Sequence, residues 1–289
     1  MTLHSQTAII TGCARGLGAV IAETMWREGA DLLLIDRPQS ALHELRDRLT
    51  ATGRPQQQAH AFPIDLSDPS APQAILKEAQ RHWPRLDILI NNAGIQGPIG
   101  TIADNDWAAW RDTIQINLLA PAELCKLSIM WMRQTGGGRI VNLSGGGAAG
   151  LRPNFSAYAT AKCGLVKFSE TIATEVAGLG IRVNSIAPGP MNTAMLQEIL
   201  NAGTEQAGAA EYEQVRKQVA SGATDPQIAA DLTVYLASEQ SAGITGKLIS
   251  ALWDPWRTLH EQAAVLRSSD VYTLRRIVPA DRGIAWPDA

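Results

Sequence analysis

Tyr158 and Lys162 stand four positions apart in Tyr158-Ala159-Thr160-Ala161-Lys162. On a helix that spacing puts a phenol and an ammonium on one face, one turn apart. Near the N-terminus, Thr11-Gly12-Cys13-Ala14-Arg15-Gly16-Leu17-Gly18 is a glycine-rich turn between an apolar run and a helical pattern. Such a turn takes a dinucleotide pyrophosphate on the helix N-terminus. A free phenol titrates near about 10. A neighbouring ammonium and a positive nicotinamide ring both favour its anion, and acid/base catalysis works best with a pKa near the working pH. Together the two strings imply a proton relay for carbonyl–alcohol chemistry, hence an oxidoreductase. Taken alone, Tyr158 and Lys162 read more readily as packing residues of an amphipathic helix.

Gly12 permits the tight turn after the strand, while Gly16 and Gly18 let the helix approach both phosphate and sheet. Asp36 ends the next apolar run, eighteen residues after Gly18. A carboxylate there accepts hydrogen bonds from the ribose hydroxyls and repels a 2′-phosphate, which favours NAD. Arg15 and Arg37 argue the other way, since either can hold a phosphate, and keep NADP open.

Around these strings, strand and helix patterns alternate. Strands are predicted at Thr7–Thr11, Asp31–Asp36, 60–65, 86–90, 139–143, 181–187 and 247–251, and helices at 16–29, 39–50, 69–82, 106–133, 155–177 and 225–237. Uniformly apolar strands separated by helices imply a parallel sheet covered on both faces, a doubly wound Rossmann-like α/β fold in a single domain. Residues 191–222 fit no sheet element and read as a mobile flap near the strand ends. Beyond residue 252 the character changes. Trp256, Leu259, Ala263 and Leu266 recur at helical spacing, and 253–289 reads as an appended segment packing on the body or on a neighbouring subunit.

With Asp65-Leu66, Asn91-Asn92-Ala93-Gly94, Asn117 and Pro188-Gly189 added in this order, the chain resembles the short-chain dehydrogenase/reductase family over about residues 5–252. The resemblance implies roles. Tyr158 is the general acid/base. Lys162 lowers its pKa and holds the nicotinamide ribose, and Asn117 kinks its helix and seats a water of the relay. Asp65 and Leu66 flank the adenine, and Asn91, Ala93 and Gly94 line the cofactor cleft. Pro188, Gly189, Met191 and Thr193 close over the nicotinamide, with Thr193 on its carboxamide.

One position departs from that pattern. The family's substrate-binding serine usually lies thirteen residues before the tyrosine, and here that residue is Gly145. Ser144 is one step back, and a one-residue shift along a strand turns a side chain to the other face. Gly145, Gly146 and Gly147 can form a bulge or supply an extra loop residue that restores its direction, so Ser144 is expected to take the role, with Ser156 a weaker substitute. If neither serves, Tyr158 holds the oxygen alone and turnover is expected to be slow; Gly145 at the serine position also leaves a dinucleotide-binding regulator without turnover as an alternative to the enzyme.

The 289 residues are 45% hydrophobic and carry a formal charge of −3 without a basic block. Nucleic acid and anionic membrane surfaces are therefore poor partners, and a small-molecule alcohol or carbonyl is the expected one. Cys13, Cys125 and Cys163 are too few and too scattered for a disulfide framework or a metal site. They suit a reducing, cytoplasmic setting and read as small buried side chains. The N-terminus has no signal-peptide pattern and no stretch is long enough to span a bilayer. The five histidines form no cluster, and no metal is expected. Trp253 and Trp256 wall the substrate pocket or anchor the tail, with packing favoured. Arg275-Arg276 is read as a salt-bridged or solvated pair rather than an anion site. The family is often oligomeric, and a homo-oligomer, tetramer or dimer, with the long helices paired is expected from that alone.

Overall fold

The computed structural model describes residues 2–191, 194–220, 222 and 224–285. Seven strands form one fully parallel sheet: β1 (Thr7–Thr11), β2 (Asp31–Asp36), β3 (Ala59–Pro63), β4 (Ile88–Asn91), β5 (Gly138–Leu143), β6 (Ile181–Ala187) and β7 (Leu248–Ser250). Their spatial order is β3-β2-β1-β4-β5-β6-β7. The winding therefore reverses between β1 and β4, and a crevice opens beyond their carboxyl ends.

Alternation along the strands divides the apolar core into two layers. Ile10, Leu34, Ile90 and Val141 face α1 (Gly16–Arg27) and α9 (Pro226–Ala237). Ile9, Leu33, Leu89 and Ile140 face α3 (Ala71–His82), α5 (Ala120–Met132) and α6 (Ser156–Glu175). A further helix, α2 (Leu42–Thr52), buries Leu42, Leu45 and Leu49 in the first layer.

The single helix expected over 106–133 is built in three pieces. Asp106 caps α4 (Trp107–Ile114), accepting from the Ala108 N–H at 2.9 Å. A π-helical turn, Gln115–Leu119, then leads into α5. The extra residue is held by Asn117, whose amide accepts from the Ile95 N–H (2.9 Å) and donates to the Ile95 carbonyl (2.8 Å). Side-chain insertion of this kind is a recognised origin of a π-bulge.

Within residues 191–222 the chain forms two helices, α7 (Ala194–Ala207) and α8 (Ala209–Ala220). They bury Ile199, Ala207 and Val215 against Phe155 and Tyr158 in a small separate cluster. The tail carries a 3₁₀ segment, Trp256–Gln262, and α10 (Ala263–Ser268). Trp256, Leu259 and Leu266 are buried in the first core layer, and the Trp256 indole donates to the Ala251 carbonyl at 3.0 Å. Further on, the Tyr272 carbonyl accepts from the Leu248 N–H (2.8 Å), and Lys247 donates to the carbonyls of Ser269 and Val271. The tail thus hydrogen-bonds to the open edge of β7. Arg275 is bridged by Asp270 and Asp281.

Replacing a buried tryptophan by alanine removes its packing and leaves a cavity. Trp256→Ala is expected to lower unfolding stability by about 3 kcal/mol, read as a shift of the urea midpoint at constant slope. An unchanged midpoint would show that the tail adds nothing to the stability of the body.

Candidate active site

The strand ends open into a cavity of about 1100 Å³. Its floor at one end is the β1–α1 turn, contributing Gly12, Arg15, Gly16, Leu17 and Gly18. A β-carbon on Gly18 would lie 2.1 Å from the Gly12 carbonyl oxygen, so no side chain fits there. At Gly16, with φ +58°, a β-carbon would meet no atom within 4 Å. Helix α1 also starts without a capping side chain. Its first N–H groups and the positive end of its dipole are thus left for an anion.

Asp36 and Arg37 line the cavity from the end of β2, and Asp65 and Leu66 from the loop after β3. The Asp36 carboxylate accepts from the Ala14 N–H (2.8 Å) and the Arg37 N–H (2.7 Å), which fixes it at the mouth. Arg15 and Arg37 form no ion pair among the described residues. An uncapped helix start, a glycine floor and an oriented carboxylate are what a dinucleotide needs, and these residues fit one.

Beyond β4, Ala93 and Gly94 line the cavity and Asn91 does not. Strand alternation puts Asn91 on the face of Leu89. There its amide is buried and donates to Asn142 Oδ1 (2.8 Å), beside Cys125 and the Pro121 carbonyl. The cavity residue is Asn92, whose side chain donates to the carbonyls of Thr11 and Gly12. The strand period, read one residue further, was the available signal for this exchange. Pro188, Gly189 and Met191 line the far wall. Thr193 lies outside the described residues.

Helix α6 brings Tyr158 and Lys162 to the cavity, both almost fully buried. The Lys162 ammonium donates to the Leu143 carbonyl at the end of β5 (2.8 Å) and lies 5.7 Å from the Tyr158 ring centre. Gly94 lets these groups converge, since a β-carbon on it would meet Asn117 Oδ1 at 3.1 Å and Lys162 Nζ at 3.4 Å. Burial pushes Lys162 down to about 8. Burial also raises Tyr158 above its ordinary value, against the opposing pull of the Arg152 guanidinium. In the protein alone, desolvation is thus the largest influence on both groups.

The β5–β6 ladder continues unbroken through Ser144, whose N–H donates to the Ile186 carbonyl at 2.8 Å. No bulge realigns its side chain. Gly145 faces Tyr158, and a β-carbon there would lie 2.3 Å from the phenolic oxygen. The phenol thus occupies space that any side chain at 145 would need. Ser144 is buried in the cavity wall, and its hydroxyl has no hydrogen-bond partner among the described residues. Ser156 is turned elsewhere and accepts from the Trp110 indole at 3.2 Å.

Arg152, Glu211 and Gln96 also line the cavity. No motif marked these three, because their convergence depends on how a loop and α8 fold over α6. Trp253 is exposed at the cavity rim, whereas Trp256 is buried in the body. Cys13 and Cys125 are buried, while Cys163, expected to be buried, is exposed. His60 and His82, unrelated in sequence, stack at 3.6 Å. No group of three metal-binding side chains occurs among the described residues. No helix of the described chain is long and apolar enough to cross a membrane.

The profile of the short chain dehydrogenase family matches residues 6–203. The chain is 31% identical over 252 residues to the 3-oxoacyl-[acyl-carrier-protein] reductase of Escherichia coli (strain K12), covering 86% of this chain and 96% of the relative. Carveol dehydrogenase from Mycobacterium avium, solved with NAD, superposes with TM-score 0.75 at 25% identity, covering 86% and 97% of the two chains. A Beutenbergia cavernae structure, described as an NAD(P)-dependent gluconate 5-dehydrogenase with NADP at low occupancy, gives TM-score 0.76 at 28% identity, covering 86% and 96%.

Two outcomes follow from the packing of the pair. Gly145→Ala must displace the Tyr158 hydroxyl, and a misplacement of this size is expected to cut turnover roughly 100-fold while dinucleotide affinity, read by fluorescence titration, stays unchanged. Equal turnover would mean that the phenol is not held against residue 145. Between about 8 and 10.5 the unfolded chain binds the Lys162 proton and the folded chain does not. Stability contributed by this residue therefore rises with pH across that window. Urea unfolding of the wild type relative to Lys162→Met should show the wild type gaining as pH rises, and a difference that is flat with pH would contradict the buried ammonium.

Proposed function

This chain belongs to the short-chain dehydrogenase family, oxidoreductases acting on CH–OH groups with NAD(P), and from that premise we propose that it interconverts a secondary alcohol and a carbonyl by hydride transfer, with NAD as its dinucleotide and Tyr158 as the general acid/base. The observation that carries this reading is the Tyr158 hydroxyl on the cavity wall, with Lys162 anchored behind it on the Leu143 carbonyl. The dinucleotide, when bound, supplies or accepts the hydride.

The chain's own residues do the rest. Tyr158 gives a proton to the carbonyl oxygen, or takes it from the alcohol, at its phenolic oxygen. Lys162 supplies positive charge beneath the phenol, and its hydrogen bond to Leu143 fixes where that charge sits. Asn117, pinned on both sides of Ile95, holds the π-turn that carries it against Gly94 and Lys162. Gly145 brings no hydroxyl to the substrate oxygen, so the proton step rests on Tyr158. Ser144 contributes the unpartnered hydroxyl in the wall, available to orient the substrate oxygen.

For the dinucleotide, the fixed carboxylate of Asp36 supports NAD, because it would meet a 2′-phosphate as a like charge. Arg15 and Arg37 support a second reading, NADP, since both line the cavity without an ion pair among the described residues. A homo-oligomer is part of the proposal. The exposed Trp107, Leu119 and Met130 along the α4–α5 run support it.

The test is a 340 nm assay of purified protein with NAD or NADP and a panel of polyols, sugars, dihydrodiols and aromatic alcohols. The expected result is dinucleotide reduction with one substrate group that falls by roughly 100-fold or more in Tyr158→Phe, with NADH bound more tightly than NADPH. Turnover that survives Tyr158→Phe would overturn the assigned acid/base. Equal or tighter NADPH binding would overturn the NAD assignment.

A further inference from the structure

Arg152 lies in the loop between β5 and α6, and its guanidinium sits 4.1 Å from the Phe155 ring centre and 5.3 Å from that of Tyr158. Of the three arginines lining the cavity, Arg15 and Arg37 belong to the dinucleotide end and Arg152 alone to the end of the reacting phenol. The glycine run opposite gives it room. A β-carbon on Gly147 would come within 3.1 Å of the Arg152 β-carbon. The Arg152 side chain is 13% exposed, so its charge has been taken out of water, at a cost that needs a partner.

Glu211 on α8 is that partner, but an incomplete one. Arg152 Nε (3.0 Å) and Nη2 (2.7 Å) both donate to the same oxygen, Glu211 Oε1. This is not the two-oxygen fork that a guanidinium makes with a carboxylate in its strongest geometry. Arg152 Nη1 makes no hydrogen bond among the described residues. Two further donors in the same cavity are unsatisfied: Gln96 Nε2 and the Ser144 hydroxyl, both buried without a partner among the described residues. Buried donors without acceptors are costly. Here Gln96 Nε2 and the Ser144 hydroxyl are two such donors in one cavity, and with the unengaged Arg152 Nη1 they would be satisfied by a ligand rich in acceptor oxygens.

We infer that the substrate carries a carboxylate close to its reacting carbon and that Arg152 is the specificity residue that takes it, with Glu211 as the internal counter-ion it displaces or shares. The inference rests on the oxidoreductase reading and narrows its substrate class to short oxo acids and hydroxy acids. It gives opposite signs to the two partners. Removing Arg152 takes away the anion's anchor, whereas neutralising Glu211 removes the anion's competitor. A pair that merely straps α8 to the loop would give both substitutions the same sign.

The experiment compares wild type, Arg152→Gln, Arg152→Lys and Glu211→Gln on short 2-oxo and 3-oxo acids and on their methyl esters, with NADH and NADPH. Binding of each acid is read in parallel by saturation-transfer NMR. The expected result for Arg152→Gln is a loss in kcat/KM on the acids that exceeds the loss on the esters by roughly 10- to 100-fold, the range of one charge-assisted hydrogen-bonded contact, while any loss common to both reports the guanidinium's pull on the neighbouring phenol. Arg152→Lys recovers part of the loss, and Glu211→Gln lowers KM for the acids. Equal losses on acids and esters in both Arg152→Gln and Glu211→Gln would overturn the proposal and leave a strap, while Tyr158-dependent ester reduction would keep the oxidoreductase reading intact. If no probe is turned over, the NMR decides. Acid binding lost in Arg152→Gln supports the anion site, and binding absent or unchanged overturns it.

Discussion

The site is organised by a buried ammonium. Lys162 has been removed from water and given one carbonyl, that of Leu143, as its hydrogen-bond partner. A charge in that position is tolerated only where the surrounding backbone is fixed. Much of the local architecture does this fixing. Strand β5 ends at Leu143 between β4 and β6. Gly94 leaves room for the ammonium, and the π-turn at Asn117 brings an amide to the same spot. Helix α6 then carries Tyr158 one turn away.

The same burial explains why the free site is not yet tuned. Desolvation holds the phenol above its ordinary value and the lysine below its own. A second positive charge near the phenol would move it toward the useful range. Arg152 contributes some of that attraction, and an oxidised nicotinamide ring would add more. On this account the protein supplies a rigid, dry setting in which added charge has a large effect on one hydroxyl. Helices α7 and α8 extend that setting, burying Ile199, Ala207 and Val215 against Phe155 and Tyr158.

Residues that occupy fixed places in a repeating element were legible in the sequence. Gly12, Gly16 and Gly18 in the first turn, Asp36 at a strand end, and Tyr158 with Lys162 on one helix face all line the cavity as read. The parallel sheet was legible for the same reason, since each strand is a short apolar run bounded by turn residues. Asn91 was misplaced because its motif was read as a block rather than along the two-residue strand period. Ser144 was expected to be turned by a bulge or an extra loop residue; its N–H continues the β5–β6 ladder, and it lies in the cavity wall next to Gly145, which faces the phenol. Arg152, Gln96 and Glu211 were not legible at all. Their meeting depends on how the loop before α6 and helix α8 pack, which leaves no local periodicity to read.

The most direct test of the account is the ionisation of Tyr158 itself, followed as the phenolate absorbance at 295 nm in the difference between wild type and Tyr158→Phe, with and without saturating NAD. Titration above the ordinary phenol value is expected in the protein alone, with a fall toward neutrality when NAD is added. An ordinary value that NAD leaves unmoved would contradict it.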